Sequence, residues 1–223
     1  MKKLLTILVK DPKKSKSRLS CVLSLKERAT LTKMMLLDIL RKIDFSFFDE
    51  IFILTDAPQY YSFLRDKFSD LTILEDRFSN INKSLYFLGL QALKFKIDEL
   101  WIIPSDIPLL KWSDLYYASK FVNKIRKGIV ITPSYNDGTN LLIMKPPNVI
   151  RTHFGRNSFY KHITAARKRN LQCIIYRNSR IKYDLDVPYD ILKIMETGKN
   201  IRIKRFLEGI GLFERLALLI VER

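Results

Sequence analysis

The sequence predicts a three-layer α/β protein, in which a mostly parallel sheet carries helices on both faces. Short apolar runs alternate with amphipathic helical patterns along the chain. Strands that alternate with helices in this way form βαβ units, whose crossovers place helices on the two sides of a parallel sheet. The chain has only seven glycines in 223 residues and no Gly- or Ser-rich linker, which indicates one domain over residues 1–223.

The first half contains the clearest βαβ pattern. Its strands are mostly apolar, as expected for strands that are buried on both faces. Its helices show apolar residues three to four positions apart. Strands are predicted at Leu4–Val9, Ile51–Leu54, Leu71–Leu74 and Leu100–Ile103, and helices at Lys26–Ile43, Gln59–Phe68 and Asn82–Lys94.

The second half is predicted to add strands to one edge of the same sheet. Its apolar runs are again short, and they are separated by loops and by two helical patterns. Strands are predicted at Ile129–Thr132, Leu141–Met144, Cys173–Tyr176 and Leu216–Val221, and helices at Phe159–Lys168 and after Pro188.

Charge is the most unusual property of the composition. Forty Lys and Arg residues against 23 Asp and Glu residues leave a net charge of +17. Such a chain attracts polyanions, which include nucleic acids, membrane surfaces and phosphorylated small molecules. Its two cysteines make no disulfide framework. Its apolar runs are far shorter than the ~20 residues of a membrane-spanning helix, and its first run favours a strand over a signal peptide, so we expect a cytoplasmic protein.

A basic segment follows the first strand and includes Lys10, Lys13, Lys14, Lys16 and Arg18. Ligands of open α/β sheets bind outside the carboxyl ends of the strands. The segment could therefore cradle a triphosphate with side chains, because it lacks the glycines of a Walker or Rossmann loop. A solvated basic turn is the alternative interpretation.

Three carboxylates are placed at predicted strand ends. Asp106 follows the strand that ends at Ile103, and Asp184 and Asp186 form an Asp-x-Asp pair whose side chains share one side of an extended segment. Mg²⁺ prefers carboxylate and phosphate oxygens, so a magnesium site is one interpretation. A helix cap at Asp106, and a polar strand end before Pro188, are the alternatives.

Two further segments have the composition of an anion site. Thr139 lies in a loop of small polar residues, for which a hairpin turn is the alternative. Gly155 and Ser158 precede a predicted helix, whose free N–H groups and dipole favour an anion. An ordinary Ser cap explains that pattern equally well. His153 and His162 have no partner at metal-ligand spacing and are interpreted as structural.

Taken in order, these segments resemble the 2-phospho-L-lactate guanylyltransferase family of coenzyme F-420 biosynthesis. The resemblance runs from Val9 to Arg223. It rests on KSRL at 16–19, NIN at 80–82, SDIPLL at 105–110, DGTNLL at 137–142, HFGRNSFYKH at 153–162 and YDLDVPYDI at 183–191.

The resemblance implies a nucleotidyltransferase with a glycosyltransferase-A-like fold. Residues 1–126 would form the nucleotide-binding half and residues 127–223 the acceptor-binding half. The reaction would join GMP from GTP to 2-phospho-L-lactate, phosphoenolpyruvate or 3-phosphoglycerate and release pyrophosphate. The implied site has catalytic and Mg²⁺-binding carboxylates at Asp106, Asp184 and Asp186, nucleotide contacts at Lys10, Lys16, Arg18 and Asn82, and acceptor contacts at Thr139, Gly155 and Ser158.

Two other functions remain open at this point. The charge would suit a basic nucleic-acid-binding protein, although no RRM-type, homeodomain or zinc-finger motif is visible. A nucleotidyltransferase of another pathway would normally carry a glycine-rich first loop. Convergence of the three carboxylates on one pocket would favour an enzyme over a nucleic-acid binder. The expected partners are GTP and the phosphorylated acid, with no nucleic acid and no membrane, and a homodimer is left open.

Overall fold

The computed structural model describes residues 1–197 and 201–221, which form one seven-stranded sheet with helices. The strands are β1 (Lys3–Val9), β2 (Glu50–Thr55), β3 (Leu71–Glu75), β4 (Glu99–Pro104), β5 (Gly128–Pro133), β6 (Thr139–Lys145) and β7 (Gln172–Ile175). The helices are α1 (Leu25–Lys42), α2 (Ile81–Lys94), α3 (Trp112–Val122), α4 (Ser158–Arg167), α5 (Pro188–Thr197), α6 (Ile201–Gly209) and α7 (Leu212–Val221).

The strand order is β3-β2-β1-β4-β6-β5-β7, and β6 alone runs antiparallel to its neighbours. The reversed direction of β6 brings its first residue to the candidate site. The start of β6, at Thr139, lies at the edge of the sheet where β1 and β4 end. Residues from both halves of the chain therefore meet at one edge.

Helices cover both faces of the sheet, as the sequence predicts. On one face, Ile39 of α1 and Leu115 of α3 are buried against the strands. On the other face, Leu88 of α2 and Ile163 of α4 are buried against the alternate strand residues. Because successive side chains of a strand point to opposite faces, one set of apolar strands fills both cores. The predicted three-layer α/β class is confirmed.

The C-terminal helices form a third apolar cluster against the first half of the chain. Leu207 of α6 and Leu212 of α7 pack with Leu31 and Met35 of α1. No helix in the part of the chain that the structure describes has the length and apolar character needed to cross a membrane.

Two of the predicted elements are wrong. The segment predicted as a helix at Gln59–Phe68 forms two separate 3-10 turns, Pro58–Tyr60 and Ser62–Leu64. Between them Tyr61 is fully buried and its hydroxyl donates to the Lys10 carbonyl, so a tertiary contact outweighs the helical pattern.

The strand predicted at Leu216–Val221 lies within α7. A six-residue apolar run does not distinguish a strand from a buried helix. Leu and Ala favour the helix, and Leu212 and Leu216 are buried on the same helical face, four residues apart.

Candidate active site

A single cavity of about 830 Å³ opens at the carboxyl edge of β1 and β4. Its volume lies within the roughly 300–1,000 Å³ that small-molecule sites usually have. Its lining includes Lys10, Lys16, Asp106, Asp184 and Asp186, together with Thr139, Gly155 and Ser158. All three carboxylates line this one cavity, which is the arrangement that favours an enzyme over a nucleic-acid binder.

Tertiary hydrogen bonds hold the basic segment in place. The Lys10 carbonyl accepts the Tyr61 hydroxyl at 2.7 Å. The backbone N–H of Asp11 donates to Asp56 Oδ1 at 2.6 Å. Since both contacts come from residues at or after the end of β2, the segment has one defined path beside the cavity. It is not a freely solvated turn.

Lys16 is the cation at the centre of the site. Its backbone is left-handed, with φ 55°, and its side chain is only 5% exposed. Its Nζ lies 2.6 Å from Asp106 Oδ2 and 3.4 Å from Asp186 Oδ1. Burial alone would lower the pKa of Lys16, but the charges of Asp106 and Asp186 outweigh it and raise that pKa. Lys16 is therefore a buried ammonium ion that links two of the carboxylates.

Arg18 lies at the rim of the site. Its guanidinium donates to Asp186 Oδ2 at 2.9 Å, while its side chain is 67% exposed. Arg18 is not among the residues that line the cavity. An ion pair this exposed contributes at most about 1 kcal/mol to stability, because water screens it. Arg18 can still attract an anion to the entrance.

Hydrogen bonds fix both the side chain of Asp184 and the backbone that follows it. Asn140 donates to Asp184 Oδ1 at 3.4 Å, and the backbone N–H of Leu185 donates to the Asp106 carbonyl at 3.0 Å. Burial and the neighbouring charge of Asp106 raise the pKa of Asp184 to about 6. The free energy of folding therefore carries a cost for this carboxylate, which a bound cation would relieve.

An ion pair between a buried carboxylate and a partly exposed guanidinium anchors the segment that leads into Asp184. Arg180 forms a close bidentate contact with Asp114, which lies in the first turn of α3. Asn178 donates to the same carboxylate at 2.9 Å. Burial would raise the pKa of Asp114, but the hydrogen bonds from Arg180 and Asn178 outweigh it and lower that pKa. The Asp-x-Asp segment thus follows a fixed loop.

The carboxylates suit Mg²⁺ by their chemistry, since this ion usually takes one or two carboxylates and completes its shell with phosphates and water. Within the described residues, no three acidic, His or Cys side chains are grouped so that they could hold one ion together. Asp106 and Asp186 instead flank the Lys16 ammonium, which shows that the pair accommodates a cation between them. The donor set therefore fits a magnesium ion that the substrate phosphates complete.

The opposite end of the cavity is uncharged and rich in hydrogen-bond donors. Ser158 Oγ donates to Thr139 Oγ1 at 3.0 Å, and both side chains are buried. Gly155 has a left-handed φ of 127°, a conformation that a side chain would strain. The three residues predicted to bind the acceptor therefore come together.

Asn82 lies beside the cavity and supports one of its loops. It does not line the cavity, and its side-chain amide exchanges hydrogen bonds with the backbone of Phe154. This geometry makes Asn82 a support for the loop before Gly155. The nucleotide contact predicted for Asn82 stays a prediction.

Sequence reasoning missed two residues that shape the site. Asn140 is buried and binds both Asp184 and the Ile181 carbonyl. His162 is buried and contacts Thr139. One signal was present, because Ser158 and His162 lie four residues apart on α4 and so share a face.

Comparison with known proteins identifies the family. The family model described as "Guanylyl transferase CofC like" matches residues 3–216. The chain belongs to this family. It is 33% identical over 201 residues to the 2-phospho-L-lactate guanylyltransferase of Methanocaldococcus sp. (strain FS406-22), and the match covers 88% of this chain and 83% of that relative.

Solved structures show that this CofC-like chain has a nucleotidyltransferase fold. A protein described as a nucleotide-diphospho-sugar transferase from Desulfovibrio desulfuricans G20 superposes with a TM-score of 0.79 at 18% identity, covering 96% of this chain and 98% of that one. Rv0371C of Mycobacterium tuberculosis H37Rv, solved in complex with manganese, superposes with a TM-score of 0.54 at 15% identity, covering 88% and 100%. The predicted family, fold and enzyme class are thus confirmed.

Proposed function

We propose that this protein transfers GMP from GTP to a phosphorylated three-carbon acid, with 2-phospho-L-lactate as the first candidate. The product would be a guanylylated acid for coenzyme F-420 biosynthesis, and pyrophosphate would leave. One observation carries the proposal. A single cavity joins an end with cations and carboxylates to an uncharged end made by Thr139, Gly155 and Ser158.

The chemistry needs alignment and charge neutralisation more than proton transfer. A phosphate oxygen of the acid, already ionised at pH 7, attacks the α-phosphorus of GTP. The bond from that phosphorus to the bridging oxygen of the β-phosphate breaks, and the electron pair leaves with pyrophosphate. The barrier comes largely from bringing two polyanions together, so fixed cations and in-line placement are the main contributions of the enzyme.

The charged end is assigned to the nucleotide. Lys10 and Lys16 line the cavity and would bind the phosphates of GTP, while Arg18 would attract them from the rim. One or two of the carboxylates Asp106, Asp184 and Asp186 would hold Mg²⁺, and phosphate oxygens would complete its shell. When bound, this ion would neutralise charge on the phosphates around the reacting phosphorus. Asn140 keeps Asp184 oriented toward the same place.

The uncharged end is assigned to the acceptor. Its hydroxyl groups and the N–H groups at the start of α4 suit the carboxylate and phosphate of a small acid. Gly155 leaves the approach to the backbone free, since no atom lies within 4 Å of where its side chain would start.

The deciding experiment is pyrophosphate release with Mg²⁺. GTP, ATP and CTP are each paired with 2-phospho-L-lactate, phosphoenolpyruvate and 3-phosphoglycerate. We expect release with GTP and one of these acids, and none without an acid. Equal release from all three nucleotides would contradict the base assignment, and no release with any acid would contradict the proposed function.

A further inference from the structure

His162 lies directly behind the uncharged end of the cavity. Its ring is completely buried on α4. Its Nδ1 lies 3.1 Å from Thr139 Oγ1, and its Nε2 lies 2.7 Å from the backbone nitrogen of His153. The ring therefore connects the backbone of one loop to a hydroxyl of the cavity.

These two contacts determine which nitrogen carries the proton. A backbone N–H can only donate, so Nε2 of His162 must accept and cannot itself be protonated. Burial, with a smaller effect from His153, lowers the pKa of His162 to about 3, so the ring is neutral near pH 7. A neutral imidazole carries one proton. That proton is on Nδ1, and it is donated to Thr139 Oγ1.

The tautomer decides how many donors the cavity offers. Thr139 and Ser158 have two hydroxyl protons between them, and their mutual contact uses one. When His162 donates, the other hydroxyl proton remains for a ligand. If His162 accepted from Thr139 instead, both hydroxyl protons would be used inside the protein, and the pair would present only lone pairs to an anion.

We propose that His162 is a positioning residue that selects an anionic acceptor, because its Nδ1–H leaves one proton of the Thr139–Ser158 pair for an oxygen of the substrate acid. The inference rests on the proposed function in one respect, which is that this end of the cavity binds the acid. The direction of the hydrogen bond from His162 does not depend on that function.

The tautomer can be read directly from the free protein by imidazole ¹⁵N chemical shifts. The chain has two histidines, so a His153→Gln variant assigns the two rings. We expect a protonated Nδ1 and an unprotonated Nε2 for His162 at pH 7. The reverse pattern, or a doubly protonated ring, would overturn the inference even if the protein proves to be a guanylyltransferase.

Two substitutions separate positioning from mere support. In His162→Asn an amide nitrogen can occupy the place of Nδ1 and still donate to Thr139, whereas the contact with the His153 backbone is lost. In His162→Gln an oxygen can occupy the place of Nε2 and still accept from His153, whereas the donor to Thr139 is lost. Each substitution thus removes one of the two hydrogen bonds of His162. Thermal unfolding shows whether each variant is folded.

Affinities for 2-phospho-L-lactate and for GTP, measured by calorimetry, complete the test. In the Gln variant no donor from residue 162 fixes the Thr139 hydroxyl, so its proton is no longer directed at the ligand. We therefore expect a loss of about tenfold in affinity for the acid, the usual worth of one hydrogen bond to a charged group, while the Asn variant stays near wild type. GTP affinity should change in neither. Equal losses, or a larger loss in the Asn variant, would overturn the inference. A wild-type protein that binds none of the three candidate acids would refute the proposed function instead, and the ¹⁵N result would still stand.

Discussion

Asn82 and Phe154 exchange two hydrogen bonds across 72 residues of sequence. The Asn82 side chain accepts the backbone N–H of Phe154 at 2.6 Å and donates to its carbonyl at 3.0 Å. This bidentate contact joins the start of α2 to the loop that carries Gly155. A residue from the first half of the chain therefore shapes the acceptor end of the cavity.

Replacing Asn82 with Asp should weaken binding of the acid and leave GTP binding nearly unchanged. The Asp side chain has no N–H group, so one carboxylate oxygen would face the Phe154 carbonyl and repel it. A lost buried hydrogen bond with an unpaired partner costs about 1–3 kcal/mol. Steady-state kinetics should show a raised KM for 2-phospho-L-lactate. A raised KM for GTP alone would instead support the nucleotide contact predicted from the sequence.

Ser158→Ala and Lys16→Ala should affect different substrates. Ser158→Ala removes a hydroxyl from the acceptor end and should raise the KM for the acid. The loss of binding free energy should be about 1–3 kcal/mol if a charge-assisted hydrogen bond is lost. Lys16→Ala removes a phosphate contact and should raise the KM for GTP. The same kinetic change in both variants would mean that the two ends of the cavity are assigned wrongly.

Lys16→Ala should also lower the melting temperature. Breaking a fully buried ion pair typically costs about 3–5 kcal/mol, and we expect a smaller loss here because Asp106 and Asp186 are 26% and 34% exposed. Asp106 and Asp186 would lose the ammonium that now lies between them. Mg²⁺ should therefore raise the melting temperature of this variant more than that of the wild type, as measured by calorimetry in metal and in chelator. No difference would argue against a cation site at these carboxylates.

Asp184→Asn should abolish turnover without loss of stability. The raised pKa of Asp184 means that its ionised form destabilises the fold near pH 7, and a neutral amide removes that cost. We expect a melting temperature in chelator equal to or above that of the wild type. Asp66→Asn is a matched control with the same change of side chain, because Asp66 is exposed and does not line the cavity, and its activity should stay near wild type. Near wild-type activity in Asp184→Asn would contradict its assignment.

The contact between Glu27 and Arg215 should make stability fall in acid. Hydrogen bonds from Arg215 lower the pKa of Glu27 from 4.5 to about 2. Because the folded-state pKa lies below the usual value, this contribution is complete above pH 4.5 and is lost as the pH falls toward 2. Denaturant unfolding of Arg215→Ala should show a weaker dependence on pH in this range than the wild type. Parallel curves would contradict the expectation.

Local sequence patterns predicted most of the fold for a physical reason. Strands buried on both faces are nearly continuous in apolar residues, so β1 and β4 are visible in the sequence as mostly apolar runs. The errors occur where tertiary contacts decide. Tyr61 is buried and bonded to the Lys10 carbonyl, a contact that the local helical pattern does not reveal. The apolar run of α7 is compatible with a strand or a helix until its packing partners on α1 are known.

The residues of the candidate site likewise fall into those that the sequence predicted and those that it did not. Residues that face a ligand were predicted because their chemistry is unusual at a strand end, as for Asp106 and Asp184. Residues that act through other residues carry no such signal. The role of Asn82 depends on Phe154 and that of His162 on Thr139, and both contacts require the folded chain.

The hydrogen bond between Lys16 and Asp186 spans 170 residues of the 223-residue chain. Closing so large a loop costs more conformational entropy than any local contact, so such contacts form after the chain has largely collapsed. A nascent chain has its basic segment long before the Asp-x-Asp pair exists to neutralise it. The order of synthesis thus leaves Lys16 without one of its two carboxylate partners until nearly the whole polypeptide has emerged.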